Sequence, residues 1–179
     1  PPVIMSNFCN GFGYSWNIFY SPLTAYLPLI FKIFTSSFEV ILKLFMFLLS
    51  IASGITMYEF VIKVTKNRGA GILAGILYIL APYRLTDMYM RVAVSELASF
   101  VFLPILFQGM YNIFKNEEDE HLVGEKTNNS SYIMRKSFML TIGAVGLILT
   151  HIIMAMYSAI ICAIYVLVNI KKLKNRQVI

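Results

Sequence analysis

Charge is scarce in this sequence. Only 13% of its 179 residues are Asp, Glu, Lys or Arg, against about a quarter in a water-soluble domain, whose surface must be hydrated. Hydrophobic residues make up 58% and the mean hydropathy is +0.71. A chain of this length can bury an ordinary core, but too few polar residues remain to cover it. The outer surface is therefore expected to face lipid. Cysteine is scarce too. Cys9 and Cys162 stand far apart, which excludes zinc and redox spacings and argues against a disulfide, so both read as packing residues. Nucleotide-phosphate loops, metal-ligand clusters, nucleic-acid-binding surfaces, internal repeats and low-complexity tracts are all missing. No cofactor is implied, although a divalent metal is left open. The opening Pro1-Pro2 brings no initiator Met, basic region or cleavage site, so no signal peptide is read, and the sequence reads as an excerpt of a longer protein.

What is present is a series of charge-free runs. Residues 44–58 lie between Lys43 and Glu59 and extend to a span over 38–64. Further spans are expected over 69–83 and 95–114. Residues 137–170 carry no Asp, Glu, Lys or Arg. As one straight helix they would run roughly 50 Å, against a hydrocarbon core of about 30 Å. Both flanks are basic, Arg135-Lys136 and Lys171-Lys172, which requires an even number of crossings. A tight hairpin turning at Thr150-His151 is expected, with short arms over 137–150 and 152–170 that imply tilt or a thin membrane. The expected fold is an all-α integral membrane protein of about five transmembrane helices, 38–179, preceded by an extracytoplasmic loop and interfacial helix over 1–37.

Basic residues orient these spans. Lys63, Lys66, Arg68, Lys115, Lys126, Arg135, Lys136, Lys171, Lys172, Lys174 and Arg176 fall on one side, eleven of the fifteen; Lys32, Lys43, Arg84 and Arg91 fall on the other. The first set is placed in the cytoplasm, within the loops 63–68 and 115–136 and the tail 171–176. Cytoplasmic loops meeting anionic lipid account for the net charge of +6. The hydrophilic loop 116–131 reads as a solvated connector, and its two matches to the N-glycosylation pattern, at Asn128 and Asn129, are discounted because they lie inside. Gly71 and Gly75 form a small-xxx-small pair suited to close helix packing within the chain. Pro82 is expected to end the second span, because Ala81 before it is pushed from helical dihedrals. Pro104 is expected to kink the third near Phe100, whose carbonyl loses its partner.

Residues 1–31 are uncharged but broken by Asn, Gly, Ser and Pro and dense in aromatics, among them Tyr14, Trp16 and Tyr20. Residues 18–34 read as a helix in the outer interface, where aromatic rings are buried and their polar tips wet. It serves either as a belt anchor or, with residues 10–20, as the lining of a lipid- or sugar-facing groove.

The most informative segment runs from Tyr83 to Glu96. It sets Arg84, Asp87, Arg91 and Glu96 on the side with few charges. Glu96 opens an apolar span, where an ionised carboxylate needs a partner or a wet cavity. On a helix, Asp87 and Arg91 face each other, while Glu96, nine residues from Asp87, points the opposite way unless the segment breaks between them. Two readings stay open. In one, an Asp87–Arg91 pair staples a loop and Glu96 caps the next helix. In the other, Arg84 and Arg91 grip a phosphate beside a carboxylate that moves a proton. His151, at the hairpin turn on the same side, either joins this pocket or caps and packs its own helix.

Asn10-Gly11-Phe12-Gly13-Tyr14, Ile18-Phe19-Tyr20-Ser21-Pro22-Leu23 and Tyr26-Leu27-Pro28 resemble the end of the first outer loop in a family of bacterial membrane proteins called 6-pyruvoyl-tetrahydropterin-synthase-related. That family is similar to the multi-spanning GT-C glycosyltransferases. Tyr83-Arg84-Leu85-Thr86-Asp87, Arg91-Val92-Ala93-Val94-Ser95-Glu96 and Phe102-Leu103-Pro104 resemble its second outer loop, and Leu149-Thr150-His151 a later turn. The likeness covers most of the chain. It implies a partial GT-C-like bundle in the bacterial cytoplasmic membrane, and transfer of a sugar from a polyprenyl-phosphate donor at the outer face. There a carboxylate takes the acceptor's proton and Arg stabilises the departing phosphate. The family's principal acid would lie upstream of Pro1. Asp87 and Glu96 are then the expected catalytic carboxylates, and Arg84, Arg91, Tyr83, Tyr20, Tyr14 and His151 the expected substrate-binding residues. Besides the donor, membrane lipid is an expected partner and nucleic acid is not. Two rival readings are a lipid-linked saccharide transporter or flippase, which would use the same Arg and carboxylate residues to bind substrate without chemistry, and a non-catalytic scaffold that only binds partner membrane proteins.

Overall fold

The computed structural model describes residues 6–7, 9–14, 23–114 and 129–170, with side chains from 137 onward in the last stretch. The described residues are helical apart from short connections. A short helix α1 (Leu23–Tyr26) runs into a 3-10 segment, Leu27–Ile33. The long helices are α2 (Phe38–Thr65), α3 (Arg68–Ile79), α5 (Val94–Phe114), α6 (Asn129–Thr150) and α7 (Ile152–Val168). Between α3 and α5 lie the five-residue helix α4 (Pro82–Thr86) and a single π turn, Asp87–Arg91. Among the described residues, three stretches are long and apolar enough to cross a membrane: Phe38–Thr65, Arg68–Arg91 and Val94–Phe114. Apolar side chains such as Phe47, Ile51 and Ile55 of α2 and Ile72, Leu73 and Leu77 of α3 stand exposed on the outside of the bundle.

Each helix ends where the local chemistry says it should. Lys66 takes a left-handed conformation (φ 59°) and its N–H bonds to the Ile62 carbonyl at 2.8 Å, closing α2. Asn67 then caps α3, its side-chain oxygen accepting from the Ala70 N–H at 3.2 Å. Two residues suffice for the turn because Gly54, Gly71 and Gly75 let the helices meet. A Cβ on Gly75 would stand 2.9 Å from the Gly54 carbonyl oxygen, and one on Gly71 2.6 Å from Ile62. The small-residue pair thus serves packing within the chain.

Ala81, at φ −55° and ψ 129°, ends the regular run before Pro82, as a residue preceding proline does. Pro104 lies buried inside α5. The carbonyl it frees, that of Phe100, accepts instead from the Tyr78 hydroxyl at 3.0 Å, and the two rings meet edge to face at 5.6 Å. Helices α5 and α6 pack antiparallel along three glycines: Gly109 against Leu140, Gly143 against Leu106 and Gly146 against Phe102.

Extended dihedrals at His151 separate α6 from α7. The Phe114 and Tyr165 rings touch edge to face at 5.3 Å. Since His151 lies near Glu96, at the start of α5, and Tyr165 meets Phe114, at its end, α7 runs back along the bundle. The core behind this end is Phe45, Leu49, Leu97 and Ala98, with Phe31 packed on Phe45. The amino-terminal segment is tied down a second time by Thr24 Oγ1 and Ser95 Oγ, 2.9 Å apart.

The amino-terminal element differs from the continuous interfacial helix expected over 18–34. Its described part is a four-residue helix passing into 3-10 geometry where Pro28 lacks an N–H to donate. Residues 15–22, the loop 115–128 and the tail 171–179, with the readings placed on them, lie outside the described residues.

Candidate functional site

The segment from Tyr83 to Glu96 breaks as convergence requires, and by an unusual route. After α4 the chain widens into the π turn, whose Asp87 carbonyl accepts from the N–H groups of both Val92 and Ala93. Val92 then adopts a left-handed conformation, φ 50° and ψ 43°. For a β-branched residue this is strained, by about 1–3 kcal/mol. The reversal turns α5 so that Glu96 faces the residues it would oppose on an unbroken helix.

Arg91 is the hub. Its Nη1 donates to Asp87 Oδ1 at 2.6 Å and to Glu96 Oε2 at 3.0 Å, and its Nη2 to Glu96 Oε1 at 2.8 Å. The contact with Glu96 is the two-pronged geometry that a planar guanidinium favours. The Tyr83 hydroxyl donates to Glu96 Oε2 at 2.7 Å and lies 3.4 Å from Arg91 Nη1. Asp87 is wholly buried, Glu96 nearly so, and the Arg91 side chain is 49% exposed. The guanidinium therefore closes the cluster toward the outside. Tyr83, Tyr89, Met90 and Val92 stand exposed around it.

His151 joins the cluster and also caps α7. Its Nδ1 accepts from the Met154 N–H at 3.3 Å, so the neutral ring carries its proton on Nε2. That nitrogen faces Glu96 Oε1 at 3.7 Å. Burial pushes the imidazole below its ordinary range; Arg91 adds to this and the Glu96 charge opposes it.

Arg84 does not join Arg91. It is fully buried and points into the bundle, where Nη2 donates to Ser50 Oγ at 3.1 Å and Nη1 to the Ile79 carbonyl at 3.2 Å. Its guanidinium carbon lies 6.0 Å from the Phe100 ring centre. The break at Ala81 is the physical reason, since it leaves the Ile79 carbonyl without a helical partner and Arg84 supplies the donor. Tyr14 is half-buried in the amino-terminal segment, and Tyr20 lies outside the described residues.

The structure therefore unites Tyr83, Asp87, Arg91, Glu96 and His151, and sends Arg84 to a second polar site with Ser50. Sequence reasoning passed over Ser50, although a serine inside an apolar run was the available signal. It also passed over Tyr78, which the freed Phe100 carbonyl called for. Two buried atoms of the region have no hydrogen-bond partner, Arg84 Nε and Asp87 Oδ2. Among the described residues, no three His, Cys, Asp or Glu are grouped to hold a metal ion.

No family model matches this chain, and no solved structure matches it. Among curated proteins it is similar to an uncharacterized protein of Lactococcus lactis subsp. cremoris (strain MG1363), 28% identical over 178 residues. That similarity covers 97% of this chain and 26% of the relative, so the chain spans about a quarter of the length of the curated relative it matches.

Proposed function

We propose that this chain is part of a multi-pass membrane glycosyltransferase of the GT-C type, with the sugar carried on a polyprenyl phosphate and the chemistry at the outer membrane face. The observation that carries the reading is the joining of two carboxylates, an arginine, a tyrosine and a histidine at one end of an apolar bundle. Lys66 and Arg68 mark the opposite end, where α2 turns into α3. Charged groups at membrane depth are costly and are retained mainly for function. The likeness of residues 83–96 and 149–151 to the 6-pyruvoyl-tetrahydropterin-synthase-related family supports the same reading. On it, α6 and α7 complete five crossings of a bacterial cytoplasmic membrane. Arg91, half-exposed among Tyr83 and Tyr89, meets the phosphate of the donor. A carboxylate of the cluster takes the proton of the acceptor hydroxyl, and the exposed rings offer faces for a sugar or an isoprenoid chain.

One observation favours a second reading, a scaffold or a lipid-linked saccharide transporter without chemistry. Asp87 and Glu96 already occupy the terminal nitrogens of Arg91, as in a structural clamp. Substituting Arg91→Ala and Glu96→Gln in the whole protein, with envelope glycan output and protein level measured together, separates these readings. Catalysis predicts glycan lost out of proportion to any fall in protein level, in Glu96→Gln as well as in Arg91→Ala, with lipid-linked donor accumulating. A transporter predicts donor stranded on the cytoplasmic face, and a scaffold predicts unchanged glycan whenever the protein level holds.

A further inference from the structure

The carboxyl groups of Asp87 and Glu96 both bond to Nη1 of Arg91, at 2.6 and 3.0 Å, so the two groups meet at a single nitrogen. If both were ionised, two negative charges would share a single guanidinium. Asp87 is moreover fully buried, and its Oδ2 has no donor. A carboxylate stripped of water with one oxygen unpaired is costly to keep charged. As a carboxylic acid it carries no charge to desolvate, and Glu96, which shares the same Arg91 nitrogen, keeps the charge that balances the guanidinium.

We propose that Asp87 and Glu96 hold one proton between them, so that Asp87, Arg91 and Glu96 form a charge-neutral unit that binds and releases a proton at this end of the bundle. Only an O–H bond is made or broken, and the proton exchanges with water past the half-exposed Arg91. The titratable groups facing the pair are Tyr83 from α4, Arg91 from the π turn and His151 from the break before α7. The nearby polar groups of α1 and α2, Thr24 and Ser50, are neutral and bond to Ser95 and Arg84. Two interacting carboxyls titrate as a pair, not as separate sites. The inference stands independently of sugar transfer. Its consequence for that reaction is that a neutral cluster does not repel a phosphate approaching Arg91, whereas a doubly ionised one carries a net negative charge.

Infrared spectroscopy of the whole protein, purified in detergent at neutral pH, tests this directly. Growth on aspartate with a heavy carboxyl carbon marks the aspartate carboxyls, and the band owed to Asp87 is the one that substitution of Asp87 removes. A protonated-carboxyl band that moves on labelling is expected, and it should vanish in Asp87→Asn, which keeps the shape of the neutral acid. It should vanish also in Glu96→Gln, because Asp87 then has Arg91 to itself and ionises. Absence from the unmodified protein of a label-sensitive protonated band that Asp87→Asn removes overturns the proposal. So does a band that persists in Glu96→Gln, which would mean that Asp87 is protonated without sharing. Neither result depends on whether the protein transfers sugar.

Discussion

Two connections in this bundle use the same backbone device for opposite ends. Between α2 and α3, Lys66 turns left-handed, Asn67 caps the next helix, and both are exposed. Between α4 and α5, Val92 turns left-handed after a π turn, with a wholly buried Asp87 and an arginine clamp beneath it. The first connection places an unbranched side chain in a tolerable conformation and buries no charge. The second puts a β-branched residue where it is strained and carboxylates where water is scarce. A left-handed residue thus says little by itself. Strain joined to buried charge marks a place where the fold has been bent to bring particular side chains together.

The comparison is broken most severely at Arg91. Arg91→Ala leaves the buried Asp87 and the nearly buried Glu96 without their arginine counter-ion, and should lower the unfolding midpoint more than any of the changes below, though less than the loss of a fully buried partner because the arginine is half-exposed. Unfolding in detergent measures this, and a loss no larger than that of an exposed lysine would deny the clamp any structural weight. Next comes Gly143→Val on the α5–α6 seam. Its Cβ would stand 2.5 Å from the Leu106 backbone nitrogen, so a loss of about 1–3 kcal/mol is expected from overpacking. Val92→Gly sharpens the contrast between the turns. It should stabilise the fold by about 1–2 kcal/mol through relief of strain, whereas Lys66→Gly, relieving the smaller strain of an unbranched side chain, should gain less, about 0.5 kcal/mol. Equal responses would remove the distinction.

The smallest effect is one of pH. His151 is held below the ordinary imidazole range by burial, so the unfolded chain takes up a proton before the folded one. The stability from neutral His151 is complete above about 6.5 and is lost as the pH falls from there toward its folded value. His151→Gln should flatten that slope in a pH series of unfolding temperatures. An unchanged slope would assign it to other groups.

Much of the frame was legible from simple rules. Charge-free runs located the long helices, Ala81 before Pro82 located a break, and the length of 137–170 demanded one at Thr150-His151. Each follows from local sterics or from the reach of a helix. The site was only partly legible. The pairing of Asp87 with Arg91 follows from helical spacing, but the approach of Glu96 depends on a π turn and a left-handed valine, and no glycine or asparagine announces them. Arg84 was misplaced because its position follows from an orphaned carbonyl five residues back, which exists only once the helix has broken. The seam of Gly109, Gly143 and Gly146 was passed over because its partners lie on different helices, in a register that sequence spacing does not reveal.

The central claim is that the cluster around Arg91 and the turn at Lys66 lie on opposite faces of a membrane. With every native cysteine of the whole protein replaced, Cys9 and Cys162 among them, single cysteines at exposed Met90 and at Lys66 in intact cells test it with a membrane-impermeant thiol reagent. Labelling of Met90→Cys from outside, with Lys66→Cys labelled only after the cells are opened, is the expected result. Labelling of both from the same side would contradict the account.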